Sequence, residues 1–327
     1  MGTAVRFLLL QRTAHLAAHA VTGFTVAMDI RSTTSAAVTG RLVPLRWLAR
    51  RLSSRVALSL LLVPVSFTSA VAQTGGAQAQ PASQEDVARQ LANPIANLVS
   101  IPLQLNWEQG VGPDDDLRFV LNFQPVVPFT LNERWNLIGR LILPFIGQPA
   151  LVGGGQPSSG TGDIVLSAFL SPTESPRAVW GVGPVFGLPT TTDPALGSGR
   201  WSMGPTAVVL KQSGPLTYGA LVNHLWSFAQ TGNDDRADVN QTYIQPFLSY
   251  TTPTAVTYGI SAESSANWEA DTDHWTVPIF VQISKVTRLG PFPFSVGGAV
   301  GLFAAKPDGG PEWKFRMVGT LILPRSR

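Results

Sequence analysis

From residue 102 to residue 323 the chain repeats one device: a segment of strand length whose apolar and polar residues alternate. Leu103, Leu105 and Trp107 interleave with Gln104, Asn106 and Glu108, and Phe119, Leu121 and Phe123 with Arg118 and Asn122. A period of two sends the two sets to opposite faces of a strand. Such segments recur at 102–110, 117–129, 134–145, 163–170, 178–188, 201–211, 215–228, 239–251, 254–264, 274–286, 292–303 and 312–323. Twelve strands with no long helix between them leave few architectures, all of them all-β.

The connections separate the candidates. Short ones (131–133, 171–177, 212–214, 252–253, 287–291) alternate with mostly longer ones (111–116, 146–162, 189–200, 229–238, 265–273, 304–311). A Greek-key sandwich has no reason to alternate. An up-and-down antiparallel transmembrane β-barrel does, with tight turns at one rim and loops at the other. Acidic residues collect in the longer set: Asp114, Asp115, Asp116, Asp193, Asp234, Asp235, Asp238, Glu269, Asp271, Asp273, Asp308 and Glu312. Basic residues favour the short-turn end, as at Arg134, Arg177, Lys211, Lys285 and Arg288. Trp107, Trp135, Trp201, Trp226, Trp275, Trp313 and Tyr250 fall near segment ends, the pattern of an interfacial girdle. One feature opposes a closed barrel: Pro125, Pro144, Pro184, Pro205, Pro246 and Pro278 lie inside strand segments, and proline normally belongs on an edge.

Charge and composition narrow the function. Charged residues make up only 13% of the chain, about half the level usual for soluble domains. Of 23 basic residues eight precede Gln73, against one of 20 acidic residues, Asp29, so the remainder carries a net charge of −4. Nucleic acid is therefore not an expected partner. Cysteine is absent, which removes thiol chemistry.

Residues 1–72 read as a leader. Arg46, Arg50, Arg51 and Arg55 precede a short apolar run and Ala70-Val71-Ala72, a signal-peptide pattern, and Met28 offers an alternative start. An inner-membrane anchor is the competing reading, disfavoured by the run's length and by Pro64. Residues 73–83 form a small, polar linker. Residues 84–93 form a short amphipathic helix with Ser83 as N-cap, expected at the short-turn rim or inside the barrel.

Little catalytic chemistry is written in the strands. His224, beside Asn223, is the one candidate base for an outer-membrane lipid hydrolase of the Ser–His–Asn kind, without an accompanying serine motif. His274 with Asp271 and Asp273 matches no standard metal spacing. No catalytic, cofactor-binding or metal residue is expected. The polar faces carry more. If the last strand pairs with the first, Glu108 lies between Arg118 on one side and Lys314 and Arg316 on the other, with Arg140 one strand further, all pointing inward. These five form a candidate selectivity cluster; the competing reading is an ion-pair network filling a narrow barrel.

The segments LANPIANLVSIPLQLNWEQGVGP, LNFQPVVPFTLNERWNLIGRLILPFI and VGTLILPR resemble the bacterial outer-membrane family named for the phenol meta-degradation pathway, whose members often carry the label "neuromedin U". The resemblance runs from about residue 84 to the end. It implies an outer-membrane β-barrel in a Gram-negative cell that passes small solutes, hydrophobic or aromatic ones among them, with outer-membrane lipid and the barrel assembly machinery as partners. It brings no catalytic residues. A structural or adhesive barrel with a blocked lumen is the alternative to a channel. The final Leu323-Pro324-Arg325 departs from barrels that end on an aromatic residue.

Overall fold

The computed structural model describes residues 83–153, 155–175, 177–232 and 236–323; the leader, most of the linker and the terminal 324–327 lie outside the described residues. The strands are β1 (Val99–Val111), β2 (Asp116–Phe123), β3 (Val126–Thr130), β4 (Trp135–Gln148), β5 (Ser158–Thr161), β6 (Ile164–Pro172), β7 (Val179–Leu188) and β8 (Arg200–Ser213). They continue as β9 (Leu216–Gln230), β10 (Asn240–Thr251), β11 (Val256–Ala262), β12 (Ser264–Asn267), β13 (Trp275–Leu289), β14 (Phe292–Ala305) and β15 (Trp313–Leu323). Neighbouring staves pair antiparallel, and β15 pairs with β1 from Val99–Leu323 to Gln109–Trp313, which closes the sheet. The result is a closed barrel of twelve staves. Three staves bring an extra strand: β3 continues β2, β12 continues β11, and β5 pairs back on β4 ahead of β6.

Alternation places apolar residues outside and polar ones inside. Val209, Val222, Tyr258, Val281, Val300 and Leu302 are exposed, whereas Asn106, Glu108, Thr206, Thr217, Thr251 and Arg316 are buried. A water-soluble barrel would reverse this. The outward aromatics form two rows. Trp201, Trp226, Trp275 and Trp313 ring the long-loop end, and Trp180, Tyr218, Tyr250 and Tyr258 the short-turn end. Trp107, outward on β1, packs between Phe119 and Phe315, with ring centroids 5.7 and 5.6 Å away.

The in-strand prolines are accommodated by gaps in the ladder. Pro184 and Pro205 oppose each other across β7 and β8. Their nitrogens therefore face β6 and β9, where pairing lapses between Ser167–Val185 and Leu170–Val182 and between Met203–Trp226 and Thr206–Asn223. The residue before each proline is glycine. A Cβ on Gly183 would lie 1.9 Å from the Ala168 carbonyl oxygen, and one on Gly204 1.8 Å from that of His224. Each Gly–Pro pair thus costs one rung without an edge, because the backbone closes in where a side chain is absent. Pro125 sits between β2 and β3, so the segment expected as one strand at 117–129 is two. Pro246 faces the break between β11 and β12, and Pro278 adjoins a register shift in β13.

Helix α1 (Gln84–Leu91) starts with a reciprocal cap: Asp86 N–H donates to Ser83 Oγ at 3.1 Å and Ser83 N–H to Asp86 Oδ2 at 3.3 Å. The Ser83 hydroxyl also donates to Asp86 Oδ2 at 2.7 Å, and this bond first, then the one from the Ser83 N–H, holds the Asp86 carboxyl below the ordinary aspartate range. An ion pair joins Arg89 to Glu85 one turn back. Val87 and Ala88 are buried and, with Leu91 and Leu98, pack on Ala255, Val286 and Ile322 at the short-turn end. Gln212 on β8 donates to the Arg89 carbonyl at 2.9 Å. The chain then turns at Asn93, whose side chain accepts from Ile95 N–H at 3.0 Å, and Ile95 is buried against Ile138, Phe169, Val208, Leu210 and Leu221 on the barrel's inner wall. Residues 84–98 therefore cross the short-turn end of the lumen as a plug.

Candidate functional site

Among the described residues, buried polar side chains converge in the lumen. Three of the five residues singled out from the sequence meet as expected. Glu108 lies opposite Lys314 on β15 and opposite Arg118 on β2. Its Oε2 accepts from Arg118 Nε at 2.6 Å, and its Oε1 lies 2.5 Å from Lys314 Nζ. The Glu108 side chain is 4% exposed, so its charge is stable there only because two cations share it. This triad straddles the seam that closes the barrel.

The other two lie elsewhere. Arg316 does not reach Glu108. Its Nη1 and Nη2 grip both oxygens of Glu263 at 2.6 and 2.8 Å, and its Nε donates to Asn106 Oδ1 at 2.7 Å. Phe280 lies beneath it, 4.3 Å from guanidinium carbon to ring centroid. The two ends of a bidentate pair reinforce each other's geometry, and the ring adds a cation–π contact. Arg140 on β4 joins neither group: its Nη2 donates to Gln124 Oε1 at 3.1 Å, and Gln124 Nε2 donates to Gln104 Oε1 at 2.8 Å.

Glu263 is the residue the sequence reading missed. It sits in the gap between β11 and β12, level with Gln245 and next to the level of Pro246 on β10, and its own N–H donates to the Pro278 carbonyl at 3.1 Å. Two prolines on flanking strands interrupt the ladder at this level, and the unpaired residue between them carries the carboxylate inward. The available signal was an acid standing mid-strand in GISAESSAN, far from the acid-rich loops.

Two adjoining cavities of about 250 Å³ each occupy the space between the plug and these charges. Both are lined by Gln104, Arg140, Gln282, Ser284, Ser295 and Arg316 on the barrel side, and by Leu91 and Pro94 on the plug side.

The long-loop rim is tied down by polar contacts. Asp163 accepts from Ser198 N–H at 2.6 Å and from Ser198 Oγ at 2.8 Å, and Arg236 donates to the carbonyls of Pro194 and Gly197 at 2.8 Å each. The connection after β4 returns as β5, paired along β4 from Phe145–Thr161 to Gln148–Ser158.

His224 points outward. Its Nδ1 lies 2.8 Å from Thr242 Oγ1, which also accepts from Trp268 Nε1 at 2.8 Å, and its ring lies on Trp226 with centroids 4.0 Å apart. Its Nε2 is buried without a partner. A threonine on one nitrogen and nothing on the other is not a nucleophile–base–orienter relay. His274 Nδ1 lies 3.0 Å from the Asn267 carbonyl oxygen, with its ring beside Trp268.

No protein-family model and no curated protein matches the chain. Among solved structures, an outer membrane channel from Pseudomonas putida F1 superposes with a TM-score of 0.55 at 15% identity, over 69% of this chain and 96% of that one. The outer membrane phospholipase A of Escherichia coli gives a TM-score of 0.41 at 9% identity, over 74% and 99%, a likeness too weak to carry an argument. The first of these is a likeness of fold: the chain has the closed twelve-stranded fold of an outer-membrane β-barrel.

Proposed function

We propose that the chain is a passive channel of the Gram-negative outer membrane, admitting small solutes through a lumen that residues 84–98 narrow at the short-turn end. The observation that carries this reading is the inversion of the barrel: apolar side chains cover the outside, while Glu108, Arg118, Arg140, Glu263, Lys314 and Arg316 line the inside. An apolar belt bounded by two aromatic rows suits hydrocarbon, and the charges inside are kept away from it, most of them in ion pairs. Six charges in a twelve-stranded bore are more than a filler needs, because apolar side chains would pack it at lower desolvation cost. The resemblance to the phenol meta-degradation family supports the same class and adds hydrophobic or aromatic solutes as candidates. Lipid hydrolysis finds no support at His224.

Purified full-length protein in planar bilayers tests the reading. The native chain is expected to conduct in small steps. Deletion of residues 84–98 should raise the unitary conductance at least about threefold, since a plug removed from a narrow lumen unblocks most of its cross-section. Silence from both proteins, once correctly folded and inserted, would favour the structural barrel with a blocked lumen.

A further inference from the structure

Among the described residues, Arg118, Arg140, Lys314 and Arg316 face Glu108 and Glu263 in the lumen, and the excess of cations is not spread evenly. Glu108 is shared by Arg118 and Lys314. Glu263 is taken by Arg316, whose remaining Nε donates to Asn106. Arg140 is different. Among the described residues it makes no ion pair, and its hydrogen bond is the one to Gln124. A guanidinium has five N–H donors, so most of its capacity is left for a guest. It lines both cavities, and Gln124, itself fixed by Gln104, holds it from behind.

The cavity wall around Arg140 mixes polar and apolar groups, and Glu263, whose carboxylate Arg316 holds, lines one of the two cavities. Gln104, Gln282, Ser284 and Ser295 supply amides and hydroxyls. Leu91 and Pro94 of the plug face them with hydrocarbon. A cation, neutral hydrogen-bonding groups and an apolar patch within about 250 Å³ match a molecule with one carboxylate and a short apolar body. A dianion would bring a second charge to a site with one unpaired cation. A neutral hydrocarbon would leave the guanidinium desolvated without an anion.

We propose that the lumen holds a binding site for small organic monocarboxylates, with Arg140 as its anion-binding residue and Gln124 as the residue that positions it. The site's use as a step in transport rests on the channel reading; its binding chemistry does not.

The test is calorimetric titration of butyrate and of its neutral isostere butyramide into the folded, detergent-solubilised full chain, alongside Arg140→Gln and Arg140→Lys. Butyrate is expected to bind about tenfold more tightly than butyramide, one charge-assisted contact being worth about that factor. Arg140→Gln should make the two ligands equal, and Arg140→Lys should retain part of the preference. Equal binding of the two probes by the native chain, or binding of neither, overturns the proposal without any variant having to fold. So does a folded Arg140→Gln protein that keeps the preference. Because no conduction is involved, a protein that binds butyrate yet conducts nothing refutes the channel reading alone. A protein that conducts and ignores butyrate refutes the site alone.

Discussion

Two walls enclose the same lumen with opposite chemistry. The wall of β13, β14, β15, β1 and β2 presents Phe280, Lys314, Arg316, Asn106, Glu108 and Arg118, bound into ion pairs and side-chain hydrogen bonds. The wall of β6 to β9 presents Phe169, Val208, Leu210 and Leu221, packed on Ile95 of the plug. The difference explains where the plug sits. Ile95 is buried against the apolar wall, while Leu98 packs at the short-turn end beside Val286 and Ile322, and the cavities lie between the plug and the charged groups. A lumen polar all round would not hold a plug, and one apolar all round would hold it with no space for a solute.

Breaking the charged wall should have the largest effect. Glu263→Ala strands Arg316, whose side chain is only 6% exposed, and is expected to destabilise the barrel by about 3 kcal/mol, the usual cost of orphaning one partner of a buried pair. Urea unfolding in lipid vesicles measures it, and an unchanged midpoint would mean that water already screens the pair. The same variant should shift the reversal potential toward anions, since it removes one of the two lumen carboxylates. Breaking the apolar wall comes next. Ile95→Ala empties a fully packed site, a loss of about 2 kcal/mol, but the loss falls on the plug rather than on the sheet. Longer open dwell times in single-channel records, with the barrel's unfolding midpoint preserved, are the expected signature; unaltered gating would show that Ile95 does not anchor the plug.

The smallest effect sharpens the comparison at the plug's far end. Asp86 has a folded-state pKa below its unfolded one, so its capping contribution is complete above the unfolded value and fades as the pH falls below about 4. Amide exchange in α1 should accelerate over that acid range in the native chain, and Ser83→Ala should bring the faster exchange to neutral pH. Identical exchange in the two proteins at neutral pH would remove the cap from the account.

How much of this was legible beforehand depended on distance along the chain. Glu108, Arg118 and Lys314 could be brought together from alternation and from one assumption, that β15 closes on β1, because they lie on adjacent strands, and the irregularity between Gln109 and Val111 falls beyond the Glu108–Arg118 level. Arg316 lies two residues from Lys314 on the same face, yet its partner lies on the stave broken between β11 and β12 and reaches across the lumen interior, a relation no pairing rule supplies. Nothing local marks Ile95, because the wall it touches comes from β4, β6, β8 and β9. The prolines looked like an objection to closure; only the pairing of Pro184 with Pro205, each preceded by glycine, shows how a closed sheet absorbs them.

By itself the sequence determined the strand period, the number of staves, the alternation of turns and loops, and which face of each strand is apolar. These are local properties, governed by the two-residue repeat and by turn chemistry. The tertiary structure decided what local rules cannot reach: Glu263 as the partner of Arg316, the burial of residues 84–98 inside the short-turn end, and, among the described residues, the absence of an ion pair at Arg140 beside the cavities. Each depends on which side chains meet across the open centre of the barrel, where no hydrogen-bond ladder dictates the neighbour and only the closed shape brings the groups together.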